Sequence, residues 1–281
     1  MKPFDKVAII GVGLIGGSIG LAAKRKGLAR EVIGVCRHKE SLQKARKKGA
    51  LDKGTLDYKE AVRDADLVIL AAPVRQIIKL AGEIAPYIKE GALVTDAGST
   101  KSDIVSNLDK ISRGKGFYFV GAHPLAGSEQ RGVAKARADL FEGARCILTK
   151  TKATNPSALR RASAFWQEIG SRTTVLSPQE HDKVVALISH LPHLAAVELV
   201  KTARSVLNFS SSGFLDTTRI ASSDAEIWTD IFFTNKKFVT QAIDNYIKQL
   251  KLTKDLIRKE DKSRLSTEFK KVKSLRDGLR K

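Results

Sequence analysis

The chain has 281 residues, 42% apolar and 28% charged, which allows a sizeable core in one large domain or two smaller ones. Two cysteines, Cys36 and Cys146, make no disulfide framework, and no uninterrupted apolar run of about 18 residues or signal-type segment is visible, so we expect a cytoplasmic chain with no membrane span. A net charge of +20 attracts anions, but only 6% of residues are aromatic, with no alternation of aromatic and basic residues and no nucleic-acid-binding signature; small acidic ligands are therefore expected rather than nucleic acid.

Residues 6–10, "KVAII", read as a short buried strand. "GVGLIGGSIGLAAKRKG" follows and turns helical at once, with Leu14, Ile15, Ile19, Leu21 and Ala22 near a 3.6 period and Gly27 at the stop. A second strand covers 31–36, and "SLQKARKKGA" is helical. Strands at 66–73, 92–98, 117–122 and 145–149 repeat the theme, mostly separated by helical segments. Continuous apolar strands alternating with helices indicate a Rossmann-type α/β domain, its largely parallel sheet buried on both faces. Asn155 and Pro156 open another helix, and 173–176 is a last strand. "SPQE" (177–180) is a capping box, after which only helical periods remain. This places a dinucleotide-binding domain at 1–176 and an all-helical domain at 177–281. The stretch 236–281 carries 15 Lys and Arg against 6 acids, with Ile243, Ile247 and Leu250 on one face and Leu265, Phe269, Val272 and Leu279 on another; these faces suggest packing, and the charge a solvated side.

Gly11, Gly13 and Gly16 form a G-x-G-x-x-G between a strand and a helix, with Leu14 and Ile15 inside it. The first glycine permits the tight turn, the second lets a pyrophosphate approach the backbone, and the third lets helix and strand pack; the helix N-terminus then faces the phosphates. The acid expected some 20 residues on would bind a ribose 2′-hydroxyl. Cys36 stands there instead, followed by Arg37 and His38. A carboxylate would repel a 2′-phosphate and an arginine can pair with it, which favours NADP over NAD, unless Arg37 is a plain surface cation. "AAPV", with Ala72, Pro73 and Val74, ends a strand where the nicotinamide ribose would lie.

Other polar clusters fall at strand ends or helix starts. Thr100 and Asp103 read as a capping box, leaving Ser99 and Lys101 to face the cofactor or, for Ser99, to complete the turn. His123, Ser128 and Glu129 lie in "GAHPLAGSE", and the histidine is expected at a strand's carboxyl end, in the layer of the cofactor loop. In "ISHLPH", Pro192 should kink its helix; Ser189, His190 and His193 suit a polar pocket wall better than a metal, which needs more ligands. Arg219 needs an anionic partner: Asp216, Asp224 or a substrate carboxylate.

Taken together, "VAIIGVGLIGGSIG", "APV", "DAGSTK", "HPLAGSE", "ISHLPH" and "TRIASSD..IW" resemble the prephenate/arogenate dehydrogenase family of tyrosine biosynthesis over most of the chain. The resemblance implies oxidative decarboxylation of prephenate or arogenate with NADP or NAD, and a homodimer formed through the helical domain. It implies that His123 accepts the proton of the 4-hydroxyl, that Ser99 orients it and the nicotinamide, that Arg219 holds a substrate carboxylate and that His193 meets the side chain. Ser128, Glu129, Ser189, His190 and Trp228 would complete the pocket. No chorismate mutase segment or regulatory domain is expected. The competing readings are another β-hydroxyacid or imine dehydrogenase with a helical second domain, and a non-catalytic Rossmann protein that binds nucleotide or nucleic acid.

Overall fold

A computed structural model describes residues 3–127 and 130–279. The first strands are β1 (Phe4–Ile10), β2 (Ala29–Val35), β3 (Lys53–Thr55), β4 (Leu67–Leu70), β5 (Leu93–Asp96) and β6 (Tyr118–Val120). They form one sheet of order β3-β2-β1-β4-β5-β6, every pair parallel. Helices α1 (Leu14–Arg25), α2 (Lys39–Lys47), α3 (Tyr58–Val62), α4 (Val74–Ile84) and α5 (Ser102–Ser112) make the crossovers. Because side chains alternate along a strand, the apolar run of β1 feeds two cores. Val7 and Ile9 pack in one with Ile19, Phe141, Phe165 and Trp166. Ala8 and Ile10 pack in the other with Ile77, Ile84, Ile104 and Leu108. Strand order reverses between β1 and β4, and a crevice at such a point is where doubly wound sheets take ligands.

The segment 117–122, read as one strand, is divided. β6 ends at Val120, and β7 (Ala122–Pro124) belongs to a second sheet with β8 (Arg145–Thr149) and β9 (Arg172–Leu176), of order β7-β8-β9. The break falls at Gly121, where a Cβ would lie 2.4 Å from Thr149 Oγ1. His123 therefore stands within β7, opposite Ile147 of β8, rather than at the end of a strand of the main sheet. Helix α6 (Pro156–Glu168) joins β8 to β9 and is capped by Asn155.

From Ser177 the described chain is helical: α7 (Pro178–Val185), a π-helical turn Ala186–His190, α8 (Leu191–Thr202), α9 (Ser212–Thr218), α10 (Ala225–Thr234), α11 (Lys236–Arg258) and α12 (Lys262–Gly278), with short 3-10 turns between some of them. The Ser177–Glu180 capping box forms in both directions. Pro192 falls in the first turn of α8, directly after the π turn, where a missing N–H is tolerated. Pro178–Thr202 is thus one continuous helical run, long and apolar enough by composition to cross a membrane, a difference from the sequence reading. The difference arises because interspersed histidines and Pro192 break the apolar run without making it strongly polar. Its inward face carries His181, Asp182, His190 and His193, all buried.

Two compact units result, residues 1–236 and 237–281. That division lies beyond the change of texture at 176/177, because α7 packs on α5 and α10 on α4. In the second unit Ile247, Leu250, Phe269, Val272 and Leu279 of the expected apolar faces are exposed.

Candidate functional site

The glycine loop joins β1 to α1. Gly11 has φ +97°, and a Cβ there would lie 2.2 Å from the carbonyl oxygen of Ala71, so the close approach of loop and β4 end requires glycine. A Cβ on Gly16 would lie 2.0 Å from Gly11 O, whereas one on Gly13 would meet nothing within 4 Å. Gly13 is the N-cap of α1 and offers no side chain to its amides, and no acidic residue occupies the first turn, where Leu14 and Ile15 stand. An open cradle under an uncapped helix N-terminus fits a pyrophosphate. Ala72, Pro73 and Val74 form the turn into α4, with Pro73 as its N-cap. Arg37 and His38 follow β2 and are exposed. As β2, β1 and β4 are adjacent and parallel, these three turns share one edge of the sheet.

At the ends of β5 and β7 a buried polar network takes over. Lys101 Nζ and the Asp96 carboxylate are paired, both inaccessible to solvent. Asp96 also accepts the amides of Gly98 at 2.8 Å and Ala122 at 3.0 Å, which ties β7 to β5. Lys101 is therefore a buried, paired cation and not the free side chain expected from the sequence. The expected Thr100–Asp103 capping box is absent: Asp182 of α7 receives the amides of Lys101 (2.7 Å) and Ser102 (2.8 Å), and Thr100 Oγ1 bonds Thr234 Oγ1 at 3.0 Å. A carboxylate from another helix satisfies the start of α5 better than a local hydroxyl. Ser99, partly exposed, precedes this pinned turn.

His123 is buried, with Nδ1 2.9 Å from His181 Nε2, and His181 Nδ1 lies 2.8 Å from Asp182 Oδ1. Burial holds His123 well below the usual imidazole range, reinforced by the charges of His181, Lys101 and His190. Burial likewise lowers His181. For Asp182 burial acts upward, but hydrogen bonds from His181, Ser102 and Lys101 bring it below the usual carboxylate range. Asn235 Nδ2 donates to the main-chain carbonyl of Asp182 (2.8 Å) and lies 3.2 Å from His190 Nδ1. Burial lowers His190 to about 4.

His193 of α8 stacks on Trp228 of α10, centroids 3.6 Å apart and planes at 6°, while His190 meets Trp228 edge-on at 6.1 Å. His193 Nδ1 is buried without a hydrogen-bond partner. Ser189 is partly buried in the π turn. Arg219 is exposed in a 3-10 turn that packs on α8. Asp224, one of its anticipated partners, pairs with Arg131 and caps α10. Ser128 and Glu129 lie outside the described residues. Sequence reasoning missed His181, Asp182 and Asn235. A signal existed for two of them: Pro178, His181, Asp182 and Val185 are all buried, and they follow helical spacing, so a polar pair occupies the inward stripe of α7.

A parallel sheet of this order, with an open glycine cradle at the N-terminus of α1, is that of a dinucleotide-binding domain. Comparison with known proteins narrows the class. The family model described as "Prephenate dehydrogenase, nucleotide-binding domain" matches residues 19–175, and "Prephenate dehydrogenase, dimerization domain" matches 177–271. The chain is 37% identical to the prephenate dehydrogenase of Bacillus subtilis over 98% of its length and 76% of the relative's. It is 34% identical to the cyclohexadienyl dehydrogenase of Zymomonas mobilis over 100% of its length and 98% of the relative's. The crystal structure of the A. aeolicus prephenate dehydrogenase, in complex with hydroxyphenyl propionate and NAD+, aligns with TM-score 0.92 at 36% identity, covering 98% of both chains. The chain belongs to the prephenate dehydrogenase family.

Proposed function

We propose that the protein catalyses oxidative decarboxylation of prephenate, arogenate or both, in tyrosine biosynthesis. The observation that carries this reading is His123: buried, neutral and hydrogen-bonded to His181, among the polar residues that close the ends of β5 and β7. A bound NAD or NADP would supply the hydride acceptor, held by Gly11, Gly13, Gly16, the first turn of α1 and the turns at 36–38 and 71–74. As the ring alcohol is oxidised, His123 takes its proton. The ring carboxylate leaves as CO2, its bonding electrons enter the ring, the ring becomes aromatic, and the proton returns to the phenol oxygen. Ser99 stands on a turn fixed by Asp182 and Thr234, which suits an orienting role. The unpartnered Nδ1 of His193 supports a contact with the substrate side chain, with Trp228 as its stacking wall and Ser189 and His190 behind. Arg219, Ser128 and Glu129 complete the proposed pocket, Arg219 at a substrate carboxylate.

Arg37 in place of an acid supports NADP as the preferred cofactor. Residues 177–281 act as the substrate and dimerisation part. Exposed Leu187, Ile188, Phe209 and Phe233 in the first unit and Phe269, Val272 and Leu275 in the second support burial by a second copy of the chain. The enzyme works in the cytoplasm. Steady-state formation of reduced nicotinamide, measured with prephenate and arogenate against NAD and NADP, tests the assignment. Turnover is expected with at least one pair, fastest with NADP; none with any pair overturns it.

A further inference from the structure

We infer that His181 and Asp182 are positioning residues that fix the tautomer of His123, presenting its Nε2 as the proton-accepting atom. Four contacts fix where the protons lie. Both oxygens of Asp182 already receive main-chain amides, Lys101 N on Oδ1 and Ser102 N on Oδ2, and amides only donate. The carboxylate is thus held as an acceptor, and the contact of 2.8 Å to His181 Nδ1 is a donation from Nδ1–H. A neutral imidazole carries one N–H, so His181 Nε2 is a lone pair. It accepts at 2.9 Å from His123 Nδ1–H. His123 is neutral for the same reason of burial, which leaves Nε2 unprotonated. No other neutral arrangement avoids setting two N–H groups or two lone pairs face to face.

The chain has a second consequence. When Nε2 takes a proton from the ring hydroxyl, the imidazolium of His123 donates more strongly through Nδ1 to His181, and the Asp182 carboxylate beyond offsets the new charge. The groups that otherwise bear on His123, namely Lys101 and His190, oppose that charge. His181 touches no reacting atom; it acts through His123. Neighbouring His190 has the opposite form. Asn235 Nδ2 donates to the Asp182 carbonyl, so the same amide group faces His190 Nδ1, which accepts, and the proton lies on His190 Nε2. The site therefore holds an internal reference.

The inference deepens the proposed function, and its test begins without substrate. The full-length chain labelled with 15N at its five histidines is read by two-bond 1H–15N correlation at neutral pH, with signals assigned through H123N and H181Q. Protonated Nδ1 is expected in His123 and His181, and protonated Nε2 in His190. An Nε2–H form of His123 or His181 overturns the inference, whatever the enzyme turns over. The kinetic arm compares H181F with H181Q, each checked for a wild-type melting temperature. Phenylalanine removes the acceptor, whereas the glutamine amide oxygen can still take Nδ1–H. H181F should lose about 10–10²-fold in kcat with KM little changed, less than the ~10²–10⁴ of losing a general base outright. H181Q should recover most of that loss, and the acid limb of its kcat profile should move less than that of H181F. Equal impairment of both variants would reduce His181 to packing and overturn its role. Failure of the unaltered chain to turn over any substrate would strike the proposed function and leave the tautomer result standing.

Discussion

Lys101 and Asp96 form an ion pair that solvent does not reach. Asp96 also holds the amide of Ala122, and the amide of Lys101 is held by Asp182, so one pair fastens the end of β5 and the first residue of β7 to the start of α5 and the middle of α7. A buried pair contributes little net stability over an apolar substitute, but breaking it strands a charge. K101M should therefore cost about 3–5 kcal/mol in urea denaturation. The double variant K101M/D96N should recover part of the loss; an unrecovered double variant would show that the cost lies in shape rather than charge.

His123 is the group asked to accept the substrate proton. H123N keeps a polar side chain of smaller size and removes the base, and should lower kcat by about 10²–10⁴-fold. Cofactor affinity, measured by fluorescence quenching on titration with NAD(P)H, should change little. A variant as active as the parent would remove His123 from the chemistry.

Much of this was legible in the chain. Five of the six parallel strands follow from apolar runs between amphipathic helices, and the glycine loop fell where its spacing placed it. What was hidden has physical causes. Lys53–Thr55 is an edge strand of only three residues, two of them exposed, so it carries no apolar signal. The division at Gly121 is a choice of partner, set by Thr149, which local propensity does not encode. Thr100 and Asp103 have the right spacing for a capping box and lost the competition to a distant carboxylate. The same carboxylate, with His181, was overlooked because polar residues in the inward stripe of a helix look like noise until their partners are known.

Gly13 separates cofactor binding from folding. A Cβ there meets nothing within 4 Å, so G13V should leave the melting temperature nearly unchanged while filling the space a pyrophosphate would use. A loss of cofactor affinity of tenfold or more is expected on titration. G16V, by contrast, would drive a Cβ toward the Gly11 carbonyl at 2.0 Å and should unfold the loop. Equal behaviour of the two variants would contradict this division of roles.

Arg37 is exposed just beyond β2, beside the exposed His38. R37D reverses the charge offered to a ribose 2′-phosphate, so the ratio of kcat/KM for NADP to that for NAD should fall by about tenfold or more, the scale of one charge-assisted hydrogen bond. An unchanged ratio would locate cofactor choice elsewhere.

The buried histidines make stability depend on pH with a definite sign. His123, His181, His190 and His193 are all depressed in the fold, chiefly by burial, with His190 at about 4. In the unfolded chain each returns to about 6.5. Between those values the unfolded state binds more protons than the native one, so stability rises with pH through the window and falls as acid is added. The contribution is fully present above about 6.5 and is progressively lost toward pH 4; for His190 alone the loss is on the order of 3 kcal/mol. Asp182, lowered in the fold, adds its own loss mainly below this interval, where the unfolded carboxyl, at about 3.9, takes up a proton that the native one resists. Urea midpoints taken from pH 7.5 to 4.5 should fall steadily below neutrality. A flat profile over that interval would mean that water reaches these imidazoles and that burial does not depress them.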